Sequence, residues 1–227
     1  MKARIRQILT DLERVRENLL TLSDDIWLSI DHNDADALQE GFEFKQAYND
    51  KMASFNRLAT DLSALIQQFT SVPVETPISA DTSQNGAAEN ERIIHDLDRE
   101  VPHSLDENFS YKRPYGFVLQ GRAYKDIVTW QRVYKLTCLQ LAQANRERFA
   151  ALPTDPEFIS RRGNKDFSYD QTELRTALEI TNGIYAEVNL SANEIRKRIT
   201  RLLVAFDIDP HSFVIYLRED RDASAAE

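Results

Sequence analysis

Seven apolar residues near the N-terminus, Ile5, Ile8, Leu12, Val15, Leu19, Leu22 and Ile26, follow one another at alternating spacings of three and four. A period of about 3.5 residues keeps one stripe of a helix turned toward a partner helix along its length, which is the pattern of a coiled-coil seam. Arg4, Asp11, Arg14, Glu17 and Asp24 fall elsewhere on the helix surface. Leu9, Leu20, Trp27 and Leu28 widen the stripe, and a wide stripe suits a bundle better than a two-stranded coil.

The polar run from Asp31 to Asp36 interrupts the period with short side chains that bond their own backbone and favour turns and N-caps. Tyr48, Met52, Phe55, Ala59, Leu62, Ile66 and Phe69 then resume the alternation, so a second helix is expected to start near Asn33 or Asp34. Two such helices joined by a short turn make an antiparallel hairpin over residues 1–71. A lone hairpin buries each stripe on one side only, so a homodimer is expected, with Ile5, Ile8, Leu12, Val15, Leu19, Leu22, Ile26, Phe55, Leu62 and Phe69 as the assembling residues.

Composition changes after the hairpin. Residues 72–108 carry 2 basic and 9 acidic side chains, and Pro73, Pro77, Pro102 and a Ser/Thr/Gln/Asn/Gly cluster give them the character of a flexible linker. Within it, residues 92–97 can form one or two turns of helix. The net charge of −9 argues against indiscriminate nucleic-acid binding, but residues 109–227 carry 18 basic and 16 acidic side chains, which leaves room for a local basic face. No apolar run approaches the roughly 20 residues of a membrane-spanning helix, and Asp11, Glu13 and Arg14 interrupt any signal-peptide core. A cytoplasmic location without membrane contact is expected. The single Cys138, in a helical pattern, reads as a buried thiol rather than a reactive one.

The remaining chain, residues 109–218, is expected to form an α+β domain, with residues 219–227 as a disordered tail. Gln120-Gly121 suits a hairpin turn, Thr129 can cap a helix reaching about Phe149, and a short helix is suggested near residues 172–179. After Asn182-Gly183, residues 184–190 alternate as a strand, and Ser191-Ala192-Asn193-Glu194 is a capping box that starts a helix. Residues 213–217 are a final strand. About four strands in one sheet, covered by helices, would bury the apolar stripes, and the last strand–helix–strand unit is long enough for a parallel crossover.

Candidate chemistry is sparse. His32, His95, His103 and His211 are scattered, the acidic turn lacks the glycine and glutamate of a calcium loop, and no phosphate-loop, dinucleotide or nucleophile-elbow pattern occurs. No catalytic residue, metal or cofactor is assigned. Asp166, Asp170, Glu187 and Glu194 are paired acids of the kind a metal-dependent nuclease uses, but Glu187 lacks the acid–x–Lys pattern on its strand. The most informative candidate is a basic face of Arg196, Lys197, Arg198 and Arg201 on the capped helix, with Arg161, Arg162 and Lys165 in the preceding loop. With Ser191 and Asn193 at the helix N-terminus, these groups could bind nucleic-acid phosphates. A solvated helix face explains the same residues. Tyr111, Tyr115, Tyr124 and Tyr169 are either base-stacking residues or half-buried sheet residues.

Phe117-x-Leu119-x-Gly121-x-x-Tyr124 with Trp130, the run Ile184-Tyr185-x-Glu187-x-Asn189-Leu190-Ser191-Ala192-Asn193, the basic helix and Phe213-x-Ile215-Tyr216-Leu217-Arg218 together resemble a small domain of prokaryotic restriction and phage-defence proteins. The resemblance covers about half the chain and implies an accessory or target-recognition role, without catalytic residues. Three functions follow: a dimeric adaptor that engages nucleic acid or an effector protein, a purely protein-binding scaffold, and a cryptic metal-dependent nuclease.

Overall fold

The computed structural model describes residues 1–72, 84–181 and 183–218. The expected tail at 219–227, residues 73–83 of the expected linker and Asn182 of the expected turn lie outside them. The chain divides into two compact units, residues 1–77 and 78–227.

The first unit is the expected antiparallel hairpin, helices α1 (Lys2–Ser29) and α2 (Ala35–Thr70). Asp34 caps α2 by accepting from the Asp36 and Ala37 amides, and α2 stops where Ser71 turns left-handed. Three contacts define the inward direction of both helices. Tyr48 donates its hydroxyl to the Leu19 carbonyl at 2.8 Å, and Lys45 donates to the Ser23 hydroxyl at 2.7 Å. At the closed end Gly41 lies so near Ile30 that a Cβ would stand 2.2 Å from its Cδ1. Leu9, Met52 and Ala59 are buried, whereas Ile8, Val15 and Leu22 of the expected seam are exposed, as are Leu62 and Phe69 on α2. The apolar stripe is wider than one partner helix covers, so only one of its edges is inside the hairpin.

The second unit begins earlier than composition suggests. Residues 84–108 carry helix α3 (Gln84–Leu97) and strand β1 (Pro102–His103), followed by β2 (Pro114–Leu119) and β3 (Arg122–Lys125). Asn90 ties α3 to the β2–β3 turn, donating to the Gly121 carbonyl at 2.7 Å and accepting from the Ala123 amide at 2.8 Å. Lys125 pairs with Asp96 at 2.8 Å and holds its carboxyl below the ordinary value. Leu97 is fully buried with Ala123 and Tyr216, and Ile93 and Ile94 pack beside them. Gly116 permits this approach, because a Cβ there would meet the Tyr124 carbonyl at 2.5 Å and Leu97 at 2.9 Å.

The chain continues through α4 (Trp130–Ala144), α5 (Arg146–Ala151), β4 (Phe167–Ser168), β5 (Ala177–Thr181), β6 (Ile184–Glu187), α6 (Ala192–Ala205) and β7 (Val214–Leu217). An α+β fold is present, but with two antiparallel sheets instead of one. The first has the order β1-β7-β2-β3 and the second β4-β6-β5. The strands flanking α6 belong to different sheets, so the expected parallel crossover does not form. Residues 172–179 hold a 3-10 turn and strand β5 in place of a helix. The Gln120-Gly121 turn and the Thr129 and Ser191 caps are as expected, while Asn145 ends α4 early and caps α5. Phe117, Phe213, Trp130, Tyr134, Ile195 and Ile199 form the main core, with Phe117 stacked between Tyr124 and Phe213 at 4.6 and 5.0 Å.

If α3 belongs to the folded unit, Leu97→Ala should lower unfolding stability by about 2–5 kcal/mol, the range for truncating a buried leucine. Urea denaturation measures this, and a change below about 0.5 kcal/mol would mean that α3 is peripheral.

Candidate functional site

Helix α6 begins where Ser191 accepts from the Glu194 amide at 3.4 Å, and it buries Ile195, Ile199, Leu202 and Leu203. That inward face sets the direction of its cations. Arg196 donates to the Leu105 carbonyl at 2.9 Å, and Lys197 pairs with Glu194 at 2.6 Å. Arg198 and Arg201 both pair with the buried Asp166, and Arg201 also donates to the Glu157 carbonyl at 3.1 Å. Asn193 accepts from the Phe109 amide at 2.9 Å and donates to Asn108 at 2.8 Å and Ser110 at 3.0 Å.

The loop and the helix therefore do meet, at Asp166. Burial pushes the Asp166 carboxyl up from its ordinary value, against the pull of the two guanidiniums beside it. Two arginines three residues apart on α6 converge on one acid, which fastens the loop over the helix and neutralises part of the expected basic face. Lys165 pairs with Glu173 at 2.6 Å. Arg161 and Arg162 differ. They are exposed on a tight turn closed by the Gly163 amide on the Ser160 carbonyl and the Ser160 amide on the Asn164 carbonyl, both at 2.8 Å. Of the candidate cations they are the two left facing solvent without a counter-charge among the described residues.

The acids considered for a nuclease have structural work. Glu187 is buried and accepts from the amides of Arg175, Thr176 and Asn189 at 2.6, 3.2 and 2.7 Å. Asp170 caps the next turn through Thr172. Among the described residues no three His, Cys, Asp or Glu side chains gather around a point that could hold a metal ion. Tyr124 is in the core with its hydroxyl on Gln140 at 3.0 Å, Tyr115 packs beneath α3, and Tyr111 and Tyr169 are exposed. Trp130 is buried and donates to the Lys112 carbonyl at 2.8 Å. Cys138 is fully buried, and burial raises its thiol far above the ordinary value, which keeps it protonated and unreactive. A depression lined by Arg148, Leu152, Asp155, Glu157 and Ala205 mixes both charges.

A different kind of site lies on the hairpin. Leu58, Leu62, Leu65 and Phe69 run along α2 at spacings of four, three and four and are 68, 45, 62 and 90% exposed. Ile8, Val15 and Leu22 repeat every seven residues on α1 and are also exposed. Only Arg57 and Asp61 are charged among the nineteen residues from Met52 to Thr70, too few to make this half of α2 an ordinary solvated surface. The sequence named most of these residues but placed them in one seam, and it missed Leu58 and Leu65 as assembling residues. Their signal was the second apolar position beside each seam residue. No helix among the described residues is long and apolar enough to cross a membrane.

Neither family models, curated proteins nor solved structures yield a match to the chain.

The Asp166 pairs are expected to hold the fold together. Asp166→Ala leaves Arg198 without its buried counter-charge, at an expected loss of about 3–5 kcal/mol, whereas Arg161→Ala should change stability by less than about 0.5 kcal/mol. Thermal and urea unfolding of the two variants separate a structural cation cluster from a solvated one.

Proposed function

We propose that this chain is a non-catalytic adaptor that works by docking, with the hairpin as its assembly arm and the second unit as a folded recognition domain. The observation that carries this reading is the exposed, charge-poor leucine and phenylalanine stripe of α2. Such a surface on a helix suits another helical surface laid along it. In the second unit, by contrast, the carboxylates that a metal-dependent nuclease would use are occupied by backbone amides and arginines, which weighs against the nuclease reading.

Nucleic-acid binding is the second reading, and Arg161 and Arg162 on their tight turn favour it. Two cations supply little of the phosphate neutralisation that binding needs, so it would be weak, with a salt dependence that reports only about two phosphates. A setting in restriction or phage defence rests on the resemblance of the C-terminal motifs and is a proposal of the same standing.

The two readings separate in complexes isolated from the host by a tag on the full chain, with and without nuclease treatment. The adaptor reading expects the complexes to survive nuclease and the Arg161→Ala/Arg162→Ala change, and to be lost in Leu58→Glu/Leu65→Glu. Loss on nuclease treatment or in the arginine variant, with the hairpin variant unaffected, would instead identify a nucleic-acid reader.

A further inference from the structure

The contacts that close the hairpin also show where its two exposed stripes lie. Tyr48 on Leu19, Lys45 on Ser23 and Gly41 on Ile30 fix the inward direction of each helix. At about 3.6 residues per turn, Ile8, Val15 and Leu22 stand roughly a quarter turn from that direction on α1. Phe44, Leu58, Leu62, Leu65 and Phe69 stand roughly a quarter to a third of a turn from it on α2, rotated in the same sense. Because the two helices run in opposite directions, equal rotations in the same sense bring both stripes to one side. Both stripes therefore lie on one face of the hairpin, Leu58 and Leu62 level with Ile8 and, nearer the closed end, Val15 and Leu22 toward Phe44, with Arg4 and Lys51 on the same face. Phe42 and Leu28, also exposed, fall on the opposite side.

We infer that this face is covered by the same face of a second copy of the chain, giving an antiparallel four-helix bundle about a two-fold axis. The inference rests on the adaptor reading and names the first partner of its assembly arm. Two features of the face argue for a second copy. First, its size fits. Eight side chains at roughly 100 Å² of apolar surface each present about 800 Å², which is close to the roughly 800 Å² per partner of a stable interface. Second, its shape is self-complementary. Apolar positions on both helices succeed one another along this side, as the layers of a bundle core do, and a two-fold axis lets one patch serve both partners.

Sedimentation of the purified full chain over roughly 1–100 µM tests this. The expected mass is twice that of the chain. Leu58→Glu/Leu65→Glu places carboxylates in the dry interface and should weaken the dimer by about 100-fold or more, whereas Phe42→Glu on the opposite side should leave it unchanged. Leu58→Ala/Leu65→Ala, which keeps helix propensity, should weaken it by about tenfold or more, with circular dichroism confirming equal helix content. A monomer across the range overturns the inference, as does a dimer insensitive to Leu58 and Leu65 or equally sensitive to Phe42. A monomeric chain whose host complexes still depend on Leu58 and Leu65 would overturn the second copy while leaving the assembly arm standing.

Discussion

Two helices touch along a line, and a helix with apolar residues over more of its circumference than that line covers must find another surface. This constraint governs the first unit. Tyr48, Lys45 and Gly41 use one edge of the α2 stripe to close the hairpin, and their polar reach to Leu19 and Ser23 sets the rotation of both helices. Once that rotation is set, Leu58, Leu62, Leu65 and Phe69 have no place inside. Exposed apolar area of this extent weakens solubility unless something covers it, and the same packing that forms the hairpin leaves the surface on which the proposed partner would dock.

The second unit resolves its polar residues in the opposite way, by using them internally. Arg198 and Arg201 clamp Asp166, Arg196 holds the Leu105 carbonyl, Asn193 holds the segment around Phe109, and Glu187 gathers three amides. Each of these residue types is also what a phosphate site or a metal centre uses. Here the groups satisfy loops that lack sheet or helix hydrogen bonds, which must be paired when buried. The result is a domain whose irregular segments are fastened to α6, with Arg161 and Arg162 of the candidate basic face left on an exposed turn. Helix α3 completes it by covering the outer face of the first sheet through Leu97 and Asn90.

Local chemistry was legible in the sequence wherever one residue decides the outcome. Asp34, Thr129 and Ser191 cap the helices that follow them, and Gln120-Gly121 turns left-handed between β2 and β3. Long-range choices were not legible. The pairing of β7 with β1 and β2, and of β6 with β4 and β5, depends on which apolar faces meet across roughly a hundred residues in one case and on very short strands in the other. In the acidic, proline-containing stretch after the hairpin only the last turns of α3, residues 92–97, were legible, and its few apolar residues suffice because Gly116 lets Leu97 approach closely. Of the candidate site, the arginines of α6 were found, but their meaning turned on Asp166, and periodicity cannot reveal which acid a loop will carry to a helix.

The central claim is that the apolar face of the hairpin is covered by its own copy. Hydrogen exchange at the backbone amides of residues 58–69 reads this directly at two protein concentrations, about 1 and 100 µM. Protection of this segment that rises with concentration, while that of α6 stays constant, is the predicted result. Equal protection at both concentrations, with the full-length chain monomeric, would contradict it.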